Sequence, residues 1–280
     1  MSTDFQVGRI ALGARLRELR TEAGLNGKEL AARLSWQRSK VSRLENGKQT
    51  ATARDLDAWA GAVGARSEAE DLKARLRGLE SQQRSWRRQL AAGHRGVQEK
   101  YVVEYRRTST LQGYEATVVP GLLQIPEYAR CLLLQNAELM RTPRDTEEAV
   151  RARVKRQEVL YEPDKRFDIL IWEGVLHALV CPRDVMAAQL DRLVGIIGMS
   201  RVSFGVIPLG APLKLTPKHG FWIFDDERVI VETINTELHL ESADDVALYK
   251  RVWERLSESA AYGAQAHRLI ARARASLSRS

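Results

Sequence analysis

Residues 38–49 carry side chains that could form hydrogen bonds with nucleic-acid bases and phosphates. The segment reads Arg-Ser-Lys-Val-Ser-Arg-Leu-Glu-Asn-Gly-Lys-Gln. If it is projected as a helix at about 100° per residue, Val41 and Leu44 fall together on one side and should face a core. The opposite side then carries Ser39, Ser42, Arg43 and Asn46, with Arg38 and Lys40 on its flanks.

This polar side has the chemistry of a helix that reads DNA. Small hydroxyl side chains allow a helix to approach the floor of the major groove, and arginine can donate two hydrogen bonds to guanine O6 and N7. Lys48 and Gln49 follow the helix and are placed to contact a backbone phosphate. Lys28, in the preceding helix, is included among the predicted DNA-binding residues. A polar helix surface in an ordinary bundle is the alternative interpretation.

The surrounding sequence predicts the short helices that would position this face. An apolar stripe at Leu12, Leu16, Leu19 and Ala23 indicates a first helix that ends near Gly24. Asn26 is a suitable N-cap for a second helix, residues 27–34. A tight Ser35-Trp36-Gln37 turn leads into the third helix, residues 38–45, and a fourth at 53–63 closes the core. Two short helices joined by such a turn form a helix-turn-helix unit.

The distribution of charge supports a nucleic-acid partner for the first part of the chain. The 280 residues have a net charge of +8. Residues 1–100 hold 20 Lys and Arg against 12 Asp and Glu, whereas residues 101–280 hold 24 of each. A basic segment on a neutral body is typical of a domain that binds a polyanion. A solvated, charged helix surface would give the same balance.

Residues 25–47 resemble the XRE/phage-repressor class of helix-turn-helix proteins. The resemblance rests on Leu30-Ala31 in the second helix and on the Ser39-to-Gly47 ending, Ser-x-Val-Ser-Arg-Leu-Glu-x-Gly. The chain departs from the common pattern at Gly27, where the class usually has Gln, and at Ser35, where it usually has Gly. The resemblance implies sequence-specific binding of double-stranded DNA, with base contacts concentrated on helix 38–45.

Beyond the first 66 residues we expect a helical connector at 67–109 and a second domain at 110–280. In the second domain, strands are predicted at 114–119, 167–172, 202–207, 221–224 and 229–233. Helices are predicted at 126–140, 144–160, 184–199 and 242–260. The predicted fold class is therefore an all-α helix-turn-helix bundle followed by an α+β domain.

The second domain also has a family resemblance. Its Pro120-Gly121-Leu122-Leu123-Gln124 element, and apolar-basic segments around Val154–Leu160 and Gln189–Leu193, are similar to the C-terminal domain of actinobacterial helix-turn-helix regulators. That domain, originally of unknown function, occurs in antitoxin-like transcription factors. The resemblance implies a regulator that is often paired with a small protein encoded beside it.

No residue set has the spacing of a catalytic or metal site, so we expect no enzyme activity, no cofactor and no metal. The five histidines form no HExxH motif, and neither a Gly-x-Ser-x-Gly nor a phosphate-loop motif is present. Cys131 and Cys181 are expected to be reduced, buried thiols. No secretory signal or membrane span is predicted, which favours a cytoplasmic, nucleoid-associated protein.

Three hypotheses about function follow from these patterns. The first is a sequence-specific transcriptional regulator that acts as a homodimer and is modulated through residues 110–280. The second is an antitoxin-like protein that mainly binds a small acidic partner, its DNA binding being autoregulatory. The third is a small-molecule enzyme or receptor with a DNA-binding appendage.

Overall fold

The computed structural model describes residues 4–83, 86–216 and 218–277. The chain divides into two compact units, Met1–Ser85 and Trp86–Ser280. The first is entirely helical in its described part, and the second combines helices with a mixed sheet. The predicted fold class, an all-α helix-turn-helix region followed by an α+β domain, is confirmed.

The N-terminal unit is a helical bundle closed around one apolar core. Its helices are α1 (Asp4–Glu22), α2 (Gly27–Leu34), α3 (Arg38–Glu45), α4 (Ala53–Ala62) and α5 (Ala69–Gln83). Trp59 of α4 is fully buried, and its Nε1 donates to the Leu16 carbonyl at 3.2 Å. Of the residues that the sequence predicts to face a core, Leu12, Leu16, Leu19, Val41 and Leu44 lie in this cluster. Ala23, the last residue of the predicted stripe, follows the end of α1 and is exposed. Amphipathic spacing therefore placed these four helices correctly.

The turn between α2 and α3 bends the chain through a left-handed residue. Ser35 has φ 54° and ψ 37°, and its N–H closes the end of α2 onto the Ala31 and Ala32 carbonyls. Residues with a Cβ enter this region at a cost, because the Cβ approaches the following carbonyl oxygen. This is the position where the resembled class usually has Gly, and in this chain serine occupies the left-handed conformation.

The segment predicted as a connector, residues 67–109, is divided between the two units. Leu72, Leu76 and Leu79 give α5 an apolar stripe that packs in the N-terminal core. Tyr101 and Tyr105 instead lie in the core of the C-terminal unit. The division follows from two separate apolar faces, one on each side of residues 84–85.

The C-terminal unit is built on one mixed sheet. Its strands are β1 (Thr110–Glu115), β2 (Arg166–Trp172), β3 (Val202–Ile207), β4 (Phe221–Phe224), β5 (Arg228–Glu232), β6 (Glu237–Leu240) and β7 (Ala261–Tyr262). Their order is β6-β5-β4-β1-β2-β3-β7. β2 pairs in parallel with both β1 and β3, and the remaining pairs are antiparallel.

Helices cover both faces of this sheet. They are α6 (Trp86–Gln89), α7 (Arg95–Arg107), α8 (Pro126–Met140), α9 (Thr146–Arg156), α10 (Arg183–Ile196), α11 (Ala243–Ser257) and α12 (Gly263–Ser276). Successive side chains of β4 point to opposite faces of the sheet, so the sheet separates two apolar clusters. Trp222 and Phe224 face α7 and its neighbours. Phe221 and Ile223 face α11 on the other side. The sheet is therefore the middle layer of three.

Several sequence expectations for this unit need correction. The first strand occupies 110–115 and not 114–119, because Thr110–Glu115 pairs with β2 and β4 despite Gly113 in its middle. β6, β7 and α12 were not predicted; the two strands are short, and α12 follows β7 directly.

Cys131 and Cys181 are unbonded thiols, but both are half-buried and not fully buried as expected. Within the part of the chain that the structure describes, no helix is long and apolar enough to cross a membrane.

Replacing Ser35 by glycine should stabilise the N-terminal unit. We expect Ser35→Gly to raise its free energy of unfolding by about 0.5–1 kcal/mol, because glycine enters the left-handed region without steric cost. Hydrogen–deuterium exchange of peptides from residues 27–45 in the full chain measures the change. The control is Ala32→Gly, at an exposed position inside α2. It should lower the same free energy by about 1 kcal/mol. Loss of stability in both variants would contradict the assigned turn.

Candidate nucleic-acid interface

The third helix is held to the N-terminal core by its apolar side. Val41 and Leu44 are 1% and 2% exposed, and both pack in the bundle. Gly13 of α1 allows the close approach, since a Cβ there would overlap the backbone carbonyls of Leu44 and Glu45. With this side fixed, the opposite side of α3 points away from the core.

Glu45 at the end of α3 is buried in a cluster of arginines from α1. Arg20 donates to Glu45 through Nε at 2.5 Å and through Nη2 at 3.1 Å. Arg17 Nε lies 3.4 Å from the same carboxylate, and Arg20 Nη1 also donates to the Leu25 carbonyl at 2.7 Å. A two-bond arginine–carboxylate pair fixes orientation as well as distance. This pair sets the direction of α3 relative to α1.

The outward face of α3 carries exposed donors. Arg38, Ser39, Ser42 and Arg43 are all exposed, as the sequence predicted. Arg43 Nε donates to Gln49 Oε1 at 3.0 Å, so the structure brings these two predicted residues together. Ser39 Oγ lies 3.5 Å from Gln37 Oε1, at the limit of a hydrogen bond. Arginine and hydroxyl groups are thus presented side by side.

Lys40 is placed differently from the other predicted contacts. Its Nζ donates to Asp55 Oδ1 at 2.6 Å and lies 3.8 Å from the centroid of the Trp36 ring. Although burial opposes ionisation of Asp55, hydrogen bonds from Lys40 and Thr52 hold the pKa of this carboxyl below its usual value. In this arrangement Lys40 links α3 to α4.

Asn46 is exposed but also engaged within the unit. Its Oδ1 accepts from Arg17 Nη2 at 2.8 Å, while its Nδ2 donates to the Ser42 carbonyl at 2.7 Å. The amide therefore connects the end of α3 to α1. Arg17 was not predicted, and the signal that could have found it is Glu45, an isolated carboxylate among basic residues.

Lys28 and Lys48 are both exposed. Neither side chain forms a hydrogen bond or ion pair with the residues that the structure describes. The two helices differ at their N-termini. Asn26 Oδ1 caps α2 by accepting from the Lys28 and Glu29 amides, whereas α3 has no side-chain cap at Gln37. The Lys40 amide donates to the Gln37 carbonyl at 2.9 Å, so the amides of Arg38 and Ser39 are those that an acceptor from outside, such as a phosphate, could contact.

The segment that contains α3 has an excess of positive charge, although Asp55, which follows it, pairs with Lys40. Residues 30–53 contain Arg33, Arg38, Lys40, Arg43 and Lys48 against the single carboxylate of Glu45. Since Glu45 is buried with Arg20, it does not oppose an approaching polyanion.

No group of three or more His, Cys, Asp or Glu side chains that could hold a metal occurs among the described residues.

Two family models match this chain. Residues 11–73 match a helix-turn-helix domain, which indicates a DNA-binding regulator and contains α2 and α3. Residues 98–272, more than half of the chain, match the family described as Domain of unknown function (DUF5753), and the chain belongs to that family. No curated protein and no solved structure matches the chain.

The pair between Lys40 and Asp55 should give the N-terminal unit a specific dependence on pH. We expect Asp55→Asn to lower the free energy of unfolding by about 1–2 kcal/mol at neutral pH, because Lys40 loses its charged acceptor. The folded pKa of Asp55 is lowered, so its contribution is complete above the ordinary aspartate pKa and is lost as the pH falls through the lowered value. The difference between wild type and variant should therefore shrink in acid.

Hydrogen–deuterium exchange of α3 and α4 at a series of pH values measures this difference. Asp57→Asn is the matched control, because Asp57 lies in the same helix, has a side chain that is 53% exposed, and pairs with Lys73 at 3.1 Å. Its substitution should change stability by less than about 0.5 kcal/mol. A difference for Asp55→Asn that stays constant down to low pH would contradict the assigned role.

Proposed function

We propose that this chain is a sequence-specific, DNA-binding transcriptional regulator of the XRE/phage-repressor type found in actinobacterial regulators. The observation that carries the proposal is the outward face of α3. Arg38, Ser39, Ser42 and Arg43 are exposed on a helix whose opposite side is fixed in the core. The helix-turn-helix match over residues 11–73 supports the same function.

In the proposed mechanism, α3 enters the major groove and its outward side chains contact base edges. Arg43 can leave its hydrogen bond with Gln49 and donate to guanine O6 and N7, while Ser39 and Ser42 leave room for the approach. Lys48, Lys28 and the uncapped start of α3 contact phosphates on either side. Lys40 and Asn46 hold α3 in place, because Lys40 donates to Asp55 of α4 and Asn46 accepts from Arg17 of α1.

Arg43 and Lys48 should make different contributions to DNA binding. Duplexes preferred by the full chain are first selected from a random pool. On the preferred sequence, Arg43→Ala should cost about 1–3 kcal/mol and relax the preference at one base pair, because a base contact is lost. Lys48→Ala should weaken all sequences alike and reduce the slope of log affinity against log salt by about one, because one phosphate contact is lost.

Fluorescence anisotropy with labelled duplexes at several salt concentrations separates the two effects. Arg75→Ala is the control, since Arg75 is an exposed arginine of α5 that pairs with Asp71 at 2.7 Å. It should leave the base preference unchanged. If Arg43→Ala kept both the affinity and the preference of the wild type, α3 would not be the reading helix.

We further propose that the protein works as a homodimer and that its C-terminal unit modulates DNA binding by recognition and not by catalysis. One short helix-turn-helix contacts few base pairs, so useful specificity normally requires two copies about one helical turn of DNA apart. The C-terminal unit, Trp86–Ser280, is much larger than a dimerisation helix requires. This surplus is what supports a regulatory role.

Dimerisation predicts a preference for paired half-sites. Two half-sites about 10 base pairs apart should bind the full chain at least about 10-fold more tightly than one, because the second contact is intramolecular. Sedimentation velocity at micromolar concentration gives the oligomeric state of the same sample. A monomer that binds one and two half-sites equally would rule the dimer out.

A further inference from the structure

The C-terminal unit contains a cavity of about 530 Å³ on the α7 side of its sheet. Its volume lies within the range typical of pockets for small organic molecules. The walls come from α7, α8, α9 and the ends of β1, β4 and β5, all within one unit. The cavity is therefore formed by one chain and belongs to no part of the proposed DNA interface.

Two arginines of α9 face this cavity, and neither forms an ion pair with the residues that the structure describes. Arg156 is 6% exposed, its Nε has no hydrogen-bond partner, and its guanidinium forms no ion pair with the residues that the structure describes. Arg153 donates to Gln98 at 3.1 Å and to Gln124 at 2.8 Å, both neutral acceptors. Burial of a charge without a counter-ion is costly, so such a pair points to an anion that is supplied from outside.

Packing against two aromatic rings and a glycine fixes the position of Arg156. Its guanidinium lies over the rings of Tyr101 and Tyr105, with centroid distances of 5.3 and 4.9 Å. On another side it approaches Gly121, where a Cβ would overlap Nη2. The glycine and the two aromatic rings thus hold the guanidinium at the cavity wall.

The ionisable groups around the cavity influence one another's pKa. Burial, followed by the nearby charge of Arg156, lowers the pKa of Arg153 to about 10. Two acids also line the cavity, and one of them, Glu232, interacts electrostatically with both arginines. Burial raises the pKa of Glu115 to about 8, and desolvation together with the Glu237 charge raises that of Glu232. At neutral pH Glu115 is therefore mostly protonated.

A third carboxylate, that of Glu237, is engaged by other groups. Glu237 accepts from Tyr101 at 2.8 Å and lies 3.1 Å from His239 Nε2. Although burial opposes ionisation, these contacts hold the pKa of Glu237 at about 2. Glu237 lies behind Tyr101 and not in the cavity lining, which leaves the two arginines as the cationic groups that a ligand would meet.

The remaining walls are aromatic and apolar. Trp86, Trp222, Leu139 and Met140 line the cavity together with the two tyrosines. His94 also faces it, with an Nε2 that has no hydrogen-bond partner. We propose that this cavity binds a small organic anion with a flat, apolar body, whose anionic group is held by Arg153 and Arg156.

Calorimetry on the full chain with three related probes tests the proposal. Cinnamate and phenyl phosphate carry an anion on an aromatic body, whereas cinnamyl alcohol has nearly the same body as cinnamate without the charge. We expect at least one anion to bind with a stoichiometry of about one and at least about 10-fold more tightly than the alcohol. Which anion binds better tells whether the site prefers a carboxylate or a phosphate.

Variants on α9 then assign the interaction to the cavity. Arg156→Gln should weaken binding of the anion by about 10-fold or more and leave that of the alcohol unchanged. Arg151→Gln is the matched control, because Arg151 lies on the same helix, its side chain is 68% exposed, and it pairs with Glu148 at 2.8 Å. It should retain wild-type affinity.

Several results would overturn the proposal. The first is that neither anion shows saturable binding below about 1 mM. The second is that neither anion binds more tightly than the alcohol. The third is that both arginine variants lose affinity equally. The probe comparison needs only the unaltered protein, so it decides the matter even if Arg156→Gln does not fold. No DNA is present in the assay, and its result is therefore independent of the proposed DNA binding.

Discussion

The buried pair between Arg20 and Glu45 is the interaction on which the N-terminal unit depends. Residues 30–53 supply one carboxylate, and it is withdrawn from the surface by arginines of α1. Two results follow from this single contact. It fixes the direction of α3, and it leaves the outward face of that helix without a negative charge. Stability and polyanion recognition therefore do not compete at this helix.

Much of the N-terminal unit could be predicted because its signals are local. The limits of α2 and α3 follow from Asn26, the Ser35 turn and the apolar pair Val41 and Leu44, all within 20 residues. The exposure of Arg38, Ser39, Ser42 and Arg43 follows from the same periodicity. The roles of Lys40 and Asn46 could not be read this way, since their partners, Asp55 and Arg17, lie on other helices. Periodicity gives the side of a helix and not the identity of its neighbour.

The cavity of the C-terminal unit could not be predicted from sequence patterns either, because its lining residues come from separate elements of the chain. Arg153 and Arg156 look like ordinary basic residues near the end of an amphipathic helix, and Glu115 and Glu232 end two different strands. Only the sheet order, which places β4 between β1 and β5, brings these ends together. Burial then changes what each group does, since it favours the neutral acid and leaves the guanidinium charged.

The exposure of the α3 face also bears on how such proteins diverge. Arg38 and Ser39 are exposed and contribute little packing, while the helix is anchored by Val41, Leu44 and Glu45 on its other side. Substitutions at exposed positions of this kind usually change stability by less than about 0.5 kcal/mol. Mutations can therefore change the exposed side chains of this helix without unfolding the N-terminal unit. The binding specificity of the helix can then evolve separately from the stability of the fold.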